Sequence, residues 1–108
     1  MNFNVEVSDK FKKHAKHLLK KFPSLKNELE VLVNSLVSNP KQGKPIGFDC
    51  YKIRLLIASK GKGKSGGARV ITHVHITKTT IYLLTIYDKS EQSNVSDHEI
   101  KELLSYLR

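Results

Sequence analysis

Between Asp49 and Asp88 the sequence contains no aspartate and no glutamate. Across the same stretch it carries Lys52, Arg54, Lys60, Lys62, Lys64, Arg69 and Lys78, with His73 and His75 among them. The formal net charge of the 108 residues is +9, so much of the imbalance is concentrated there. Cations without neighbouring carboxylates repel one another in the isolated protein. A polyanionic partner, whether RNA, DNA or an acidic protein, is the expected counterpart. Cysteine occurs once, at Cys50, so no internal disulfide can form, which fits a reducing cytoplasm. No base is placed to activate Cys50, and a half-buried structural thiol is expected. No apolar run approaches the roughly 20 residues that span a bilayer. The start, MNFNVEVSDK, has neither the basic nor the apolar region of a signal peptide, so no membrane partner is expected. A G-x-S-x-G nucleophile elbow and a glycosidase-like acidic pair are both missing.

What is present suffices for one domain over residues 1–108, with 39% hydrophobic and 27% charged residues. Phe3, Val5 and Val7 alternate with polar residues and predict a short strand. Ser8 or Asp9 then caps a helix whose apolar face holds Phe11, Ala15, Leu18, Leu19 and Phe22. Its lysine-rich remainder reads as a solvated face. Pro23 interrupts the pattern, and Leu25, Leu29, Leu32 and Leu36 predict a second helix, completing a helical hairpin. Residues 39–47 (NPKQGKPIG) have the composition of a loop.

Three strands are predicted next. In residues 51–58, Ile53, Leu55 and Ile57 share one face and Lys52, Arg54 and Leu56 the other. In residues 68–76, Val70, Thr72, Val74 and Ile76 oppose Arg69, Ile71, His73 and His75. Residues 80–87 are apolar on both faces, as in a central strand covered on both sides. Ser96-Asp-His-Glu99 is a capping box that opens a last helix with Ile100, Leu103, Leu104 and Leu107 inward. The expected architecture is α+β, β-α-α-β-β-β-α, with a mostly antiparallel sheet. The helical hairpin packs on one face, and Lys52, Arg54 and Arg69 turn the other way.

Two apparent phosphate motifs lack their mechanism. Gly61-Lys-Gly63-Lys-Ser-Gly66 has the letters of a dinucleotide fingerprint, but a strand follows where a helix N-terminus must receive the pyrophosphate. Read as a P-loop, Gly63-Lys64-Ser65 needs a glycine at position 58, which is Ala58. No nucleotide cofactor is expected. Lys60, Lys62 and Lys64 instead read as a flexible cationic hairpin loop that follows a phosphate backbone without reading bases. Metal sites are disfavoured as well. His73 with His75, or His14 with His17, supplies at most two ligands, among cations and with no carboxylate in the same sheet.

Lys52, Arg54, Arg69, His73 and Lys89 are expected to converge on one sheet face. Fixed cations there hold a phosphodiester and stabilise the charge of a pentacoordinate phosphorane. RNA brings its own nucleophile, the 2′-hydroxyl. The protein then supplies alignment, a base, a charge clamp and an acid for the leaving 5′-oxygen. A lysine crowded by cations has a lowered pKa and serves as base; a histidine or tyrosine does the same work. This is metal-free RNA cleavage.

The ordered set of elements resembles the RelE/ParE superfamily of toxins from type II toxin–antitoxin modules. The motifs that carry the resemblance are Tyr51-Lys-Ile-Arg-Leu55, Ala68-Arg-Val-Ile71, Leu83-Leu-Thr-Ile-Tyr-Asp-Lys-Ser-Glu91, the Pro23-Ser24-Leu25 joint and the Asn39-Pro40 loop. The resemblance spans essentially the whole chain. It implies an endoribonuclease that enters the ribosomal A site, contacts rRNA and cuts mRNA there, and a neighbouring antitoxin that silences it. Lys52 and Arg54 match the family's basic pair, Arg69 its strand arginine and Lys89 its basic segment after the last strand. Ser90 and Ser96 stand where the family has an arginine and a tyrosine, which leaves Tyr87 and His73 as substitutes for base or acid. Two other readings compete. One is a ParE-like gyrase poison on the same fold, which needs no phosphate clamp. The other is a non-catalytic RNA-binding domain, although a double-stranded-RNA reader uses a basic start to its last helix, and here that start is Ser-Asp-His-Glu.

Overall fold

A computed structural model describes residues 2–60 and 67–107. The elements are β1 (Asn4–Val7), α1 (Asp9–Lys21), α2 (Leu25–Ser38), β2 (Lys44–Gly47), β3 (Cys50–Leu55), β4 (Ala68–His75), β5 (Thr80–Asp88) and α3 (Asp97–Ser105), with a 3-10 turn at Ala58–Lys60. The five strands form one sheet in the order β1-β5-β4-β3-β2. β1 runs parallel to β5, and every other pairing is antiparallel.

The α+β architecture is the one the sequence implies, with one added strand. Residues 39–47, expected as loop, contribute β2, which pairs with β3 on the sheet edge. Pro45 cannot donate to a ladder and is tolerated there because β2 has a strand on one side only. The added strand depends on Gly43, held at φ +94°, where a Cβ would lie 2.5 Å from the Lys52 carbonyl oxygen. Gly47 pairs with Cys50, so Phe48 and Asp49 alone make the β2–β3 turn.

Helix α1 starts where the β1–β5 pairing ends. The Ser8 N–H reaches the Leu83 carbonyl at 3.1 Å, and the Ser8 hydroxyl both accepts from Phe11 N–H at 3.1 Å and donates to Leu84 O at 2.9 Å. The α1–α2 hairpin buries Phe11, Ala15, Leu18, Phe22, Leu25, Leu32 and Leu36 against Ile53, Val70, Val74, Ile81, Leu83 and Ile86. Leu19, expected in this face, sits at its rim and is 38% exposed. Strands β3 and β4 stop short of their predicted ends, so Leu56 and Ile76 lie outside the sheet and are exposed. The hairpin joint is tied to the 3-10 turn: Glu28 Oε2 accepts from Ala58 N–H at 2.7 Å, and Ser59 N–H donates to Ser24 Oγ at 2.9 Å.

The opposite face carries a second core of Cys50, Ile71, Leu84, Tyr87, Val95, Ile100 and Leu103, closed by α3. The predicted capping box is formed: Glu99 N–H donates to Ser96 Oγ at 3.1 Å, and Ser96 N–H to Glu99 Oε1 at 3.2 Å. Two helices on one face and one on the other enclose β5, as its unbroken apolar run requires.

A bulge in β5 shapes the site. Ile71 pairs with Thr85 and Thr72 with Leu83, leaving Leu84 as the extra residue. Strict alternation from Ile81 sends Tyr87 toward the helical hairpin. The extra residue reverses the phase, so Ile86 joins the hairpin core and Tyr87 the α3 core.

Candidate active site

Lys52 and Arg54 are two apart on β3 and therefore share a face. Arg54 lies directly across from Arg69, and Arg69 across from Tyr87. Residues paired in this way hold their Cβ atoms about 5 Å apart on one side of the sheet. Lys44 pairs with Lys52 from the other flank. Lys89, just past β5, is held by its N–H to Gly67 O at 3.1 Å and by Nζ to Ser93 O at 3.3 Å. Like charges side by side across strands are destabilising, and here four of them surround Lys52. Partial burial, then Lys44, Lys89, Arg69 and Arg54, lower the Lys52 pKa from its ordinary value.

Arg69 is 4% exposed, and one guanidinium nitrogen, Nη1, donates to Ala68 O at 3.1 Å. Among the described residues the one ion pair, Lys21 with Glu91 at 3.9 Å, does not include it. One donor of the Arg69 guanidinium is used within the described residues, and its fork geometry suits two oxygens of one anion. Tyr87 is 7% exposed, and its hydroxyl is buried without a hydrogen-bond partner among the described residues. Burial raises the Tyr87 pKa, Arg69 opposes that rise and Glu99 adds to it. The phenol is thus held protonated, as a proton donor must be.

The other predicted residues fall elsewhere. His73 is on the same sheet face but four residues beyond Arg69, roughly 13 Å along the strand, and it does not join the cluster. Its Nδ1 lies 3.0 Å from Phe48 O, and its ring stacks on Tyr82. Lys60 closes the 3-10 turn; its side chain, and Lys62 and Lys64 entirely, lie outside the described residues. The two departures from the family pattern have local duties. Ser90 donates through N–H and Oγ to Asp88 Oδ1 at 2.9 and 2.8 Å, and Ser96 caps α3. Cys50 is 1% exposed, and burial followed by the Asp49 charge pushes its pKa up to about 12. His14, one of the two histidines on α1, has Nδ1 2.6 Å from the Thr85 hydroxyl. Lys44 and Glu99 are the participants that sequence reasoning missed. Lys44 stands in a segment with no strand periodicity, and Glu99 was visible only as a capping residue.

A family model describing the RelE toxin of the RelE/RelB toxin–antitoxin system matches residues 37–106. The chain belongs to the RelE toxin family. Solved structures agree on the fold. A double-arginine mutant of the E. coli toxin RelE in the free state is 18% identical, with a TM-score of 0.61 over 98% of this chain and 94% of that one. The isolated E. coli RelE toxin is 16% identical, with a TM-score of 0.57 over 97% and 99%. The intact E. coli RelBE toxin–antitoxin complex contains a chain 20% identical, with a TM-score of 0.58 over 78% and 93%. In this RelE-family chain the candidate site is a set of cations from β2, β3, β4 and the end of β5, with a buried phenol at its margin.

Proposed function

We propose that this RelE-family protein is the toxin of a type II toxin–antitoxin module and an endoribonuclease that cuts mRNA in the ribosomal A site without a metal. Its proposed partners are the ribosome with its mRNA and rRNA, and a cognate antitoxin; its proposed location is the cytoplasm. The observation that carries the reading is Lys52 amid Lys44, Arg54, Arg69 and Lys89, with its pKa lowered by burial and by those charges.

Such a set favours a bound phosphodiester and also favours the neutral amine of Lys52. That amine takes the proton of the 2′-hydroxyl as its oxygen attacks the adjacent phosphorus. Negative charge grows on the non-bridging oxygens, where the Arg69 fork and Arg54 receive it. The 5′-oxygen leaves with a proton from Tyr87 or Lys89, and a 2′,3′-cyclic phosphate remains. In this scheme Lys52 is the base and Arg69 the clamp. His73, away from the cluster, has no proton-transfer role.

The experiment is cleavage of mRNA on ribosomes with a vacant A site, in excess EDTA. The expected products end in a 2′,3′-cyclic or 3′-phosphate, and 2′-deoxy substitution at the cut site abolishes the reaction. An EDTA-sensitive reaction that leaves a 3′-hydroxyl refutes the clamp. Growth arrest with intact mRNA and undiminished translation refutes the ribonuclease reading altogether.

A further inference from the structure

The turn between β2 and β3 is made of residues that disfavour its shape. Two-residue hairpin turns with both φ values positive select Asn-Gly, Asp-Gly or Gly-Gly. Here the pair is Phe48-Asp49, at φ 58° and 57°. A bulky side chain in the left-handed region is a genuine outlier. Core packing does not offset the strain, because Phe48 is 42% exposed. Lys101 lies over its ring, with Nζ 5.6 Å from the centroid. The turn is nonetheless firmly held. Phe48 O lies 3.0 Å from His73 Nδ1, and Asp49 O accepts from Val74 N–H at 2.9 Å. Strain kept at a fixed, exposed aromatic points to a contact made outside the fold.

The rings continue beside it. His73 stacks on Tyr82, with centroids 6.3 Å apart and planes at 23°, and meets His75 edge-on at 6.3 Å and 88°. His73, His75, Lys78, Tyr82, Leu104 and Leu107 line a concavity of about 270 Å³, with no carboxylate among the described residues of its lining. Lys101 and Leu104 are three apart on α3, so they share a helix face and bridge the Phe48 ring to this shelf.

We infer that Phe48 and the His73–His75–Tyr82 shelf form a nucleobase-stacking subsite, which takes an unpaired base of the strand whose phosphate lies at the cation cluster. The inference rests on the ribonuclease reading. Proteins that hold single strands combine cations for the backbone with rings on which bases stack, and every base offers a π-face. Both parts are present here: cations on β2 and β3, then Phe48 four residues from Lys52, at most roughly 13 Å of extended chain. Asp49, exposed in the same turn, repels phosphate from the tip and leaves a ring for a base. Lys78 and Lys101 supply charge for the backbone on either side.

The test uses Phe48→Gly, which gives the turn a residue it prefers, so thermal unfolding should show equal or higher stability. The probe is single-stranded RNA with 2-aminopurine at successive positions around a cut site blocked by 2′-deoxy substitution, offered free and in ribosomes with a vacant A site. Fluorescence should be quenched at one position beside the blocked phosphate. Phe48→Gly should lose that quenching and bind roughly 5- to 150-fold more weakly, the range for one base–aromatic stack. Phe48→Tyr should keep both. Equal quenching and affinity in wild type and Phe48→Gly overturn the subsite and leave the ribonuclease reading standing. A wild type that neither binds nor cuts RNA in either form overturns both. Weaker antitoxin binding by Phe48→Gly with RNA binding intact assigns the turn to a protein interface and overturns the subsite.

Discussion

Replacing Arg69 by methionine should separate the cation cluster's chemistry from its cost to the fold. Arg69 is 4% exposed, lies between Arg54 and Tyr87 across the two ladders, and donates to Ala68 O at 3.1 Å. Methionine keeps most of the aliphatic stem, so packing is largely retained. The substitution removes one like-charge neighbour of Arg54, relieving a repulsion of about 0.2–1 kcal/mol. It also removes a buried guanidinium charge that has no ion-pair partner among the described residues. Stability should therefore hold or rise. Catalysis should move the other way. Loss of a preorganised donor to developing phosphorane charge costs on the order of 10²–10³ in rate, about 2.7–4 kcal/mol. Arg69→Lys should restore only a small part, because an ammonium cannot bridge two oxygens as a fork does. A third signature follows from the charges around Lys52. Arg69 is one of the groups that lower its pKa, so in the Lys variant the pH–rate profile should stay near wild type, and in the Met variant it should shift to higher pH. The assay is single-turnover cleavage on saturating ribosomes across a pH series, with thermal unfolding in parallel and Lys13→Ala on α1 as control. An Arg69→Met protein that cleaves within about threefold of wild type, folded and at equal saturation, refutes the clamp.

Further expectations concern the surroundings of that residue. Lys52→Met should abolish cleavage yet stabilise the protein at neutral pH. The Lys52 pKa is lowered on folding, so the unfolded chain binds more protons between the folded and unfolded values, and wild-type stability rises with pH in that window. The stability gap between Lys52→Met and wild type should therefore narrow as pH climbs through it, which denaturant melts at several pH values will measure. Gly43→Ala should cost on the order of 1–3 kcal/mol, since its Cβ meets Lys52 O at 2.5 Å and φ is +94°; an unchanged denaturation midpoint counts against that contact. Cys50, 1% exposed with its pKa pushed up to about 12, should resist iodoacetamide at pH 8 in the native protein and react on unfolding. Neutralising Lys60, Lys62 and Lys64 together should reduce the log–log salt slope of RNA binding by up to roughly three units and leave saturated cleavage nearly unchanged; an unaltered slope makes the loop a simple connector.

Much of the fold is legible locally because its signals are local. The helical hairpin follows from leucines at helical spacing on either side of Pro23, and the last helix from a capping box that forms as written. The facing of Arg69 away from Val70, and of Lys52 and Arg54 away from Ile53, follows from the two-residue period of an extended chain. Those three cations are identifiable before any pairing is known, and the gap between Asp49 and Asp88 already marks the sheet face they occupy.

Pairing and packing decided the rest. Strand β5 is apolar on both faces, so its alternation carries no phase, and only the bulge at Leu84 turns Tyr87 toward Arg69. Lys44 enters the cluster because an edge strand forms in a segment rich in Pro and Gly, a pairing stabilised by β3 rather than by its own residues. His73 shares the face of Arg69 yet is separated from it by strand length, which periodicity does not measure. Burial of Arg69 and of the Tyr87 hydroxyl belongs to tertiary structure alone, and Tyr87 is buried where α3 closes over the sheet. Residue order determines which way a side chain points from its own strand; which neighbours it meets there depends on register, and register is settled by contacts between segments far apart in the chain.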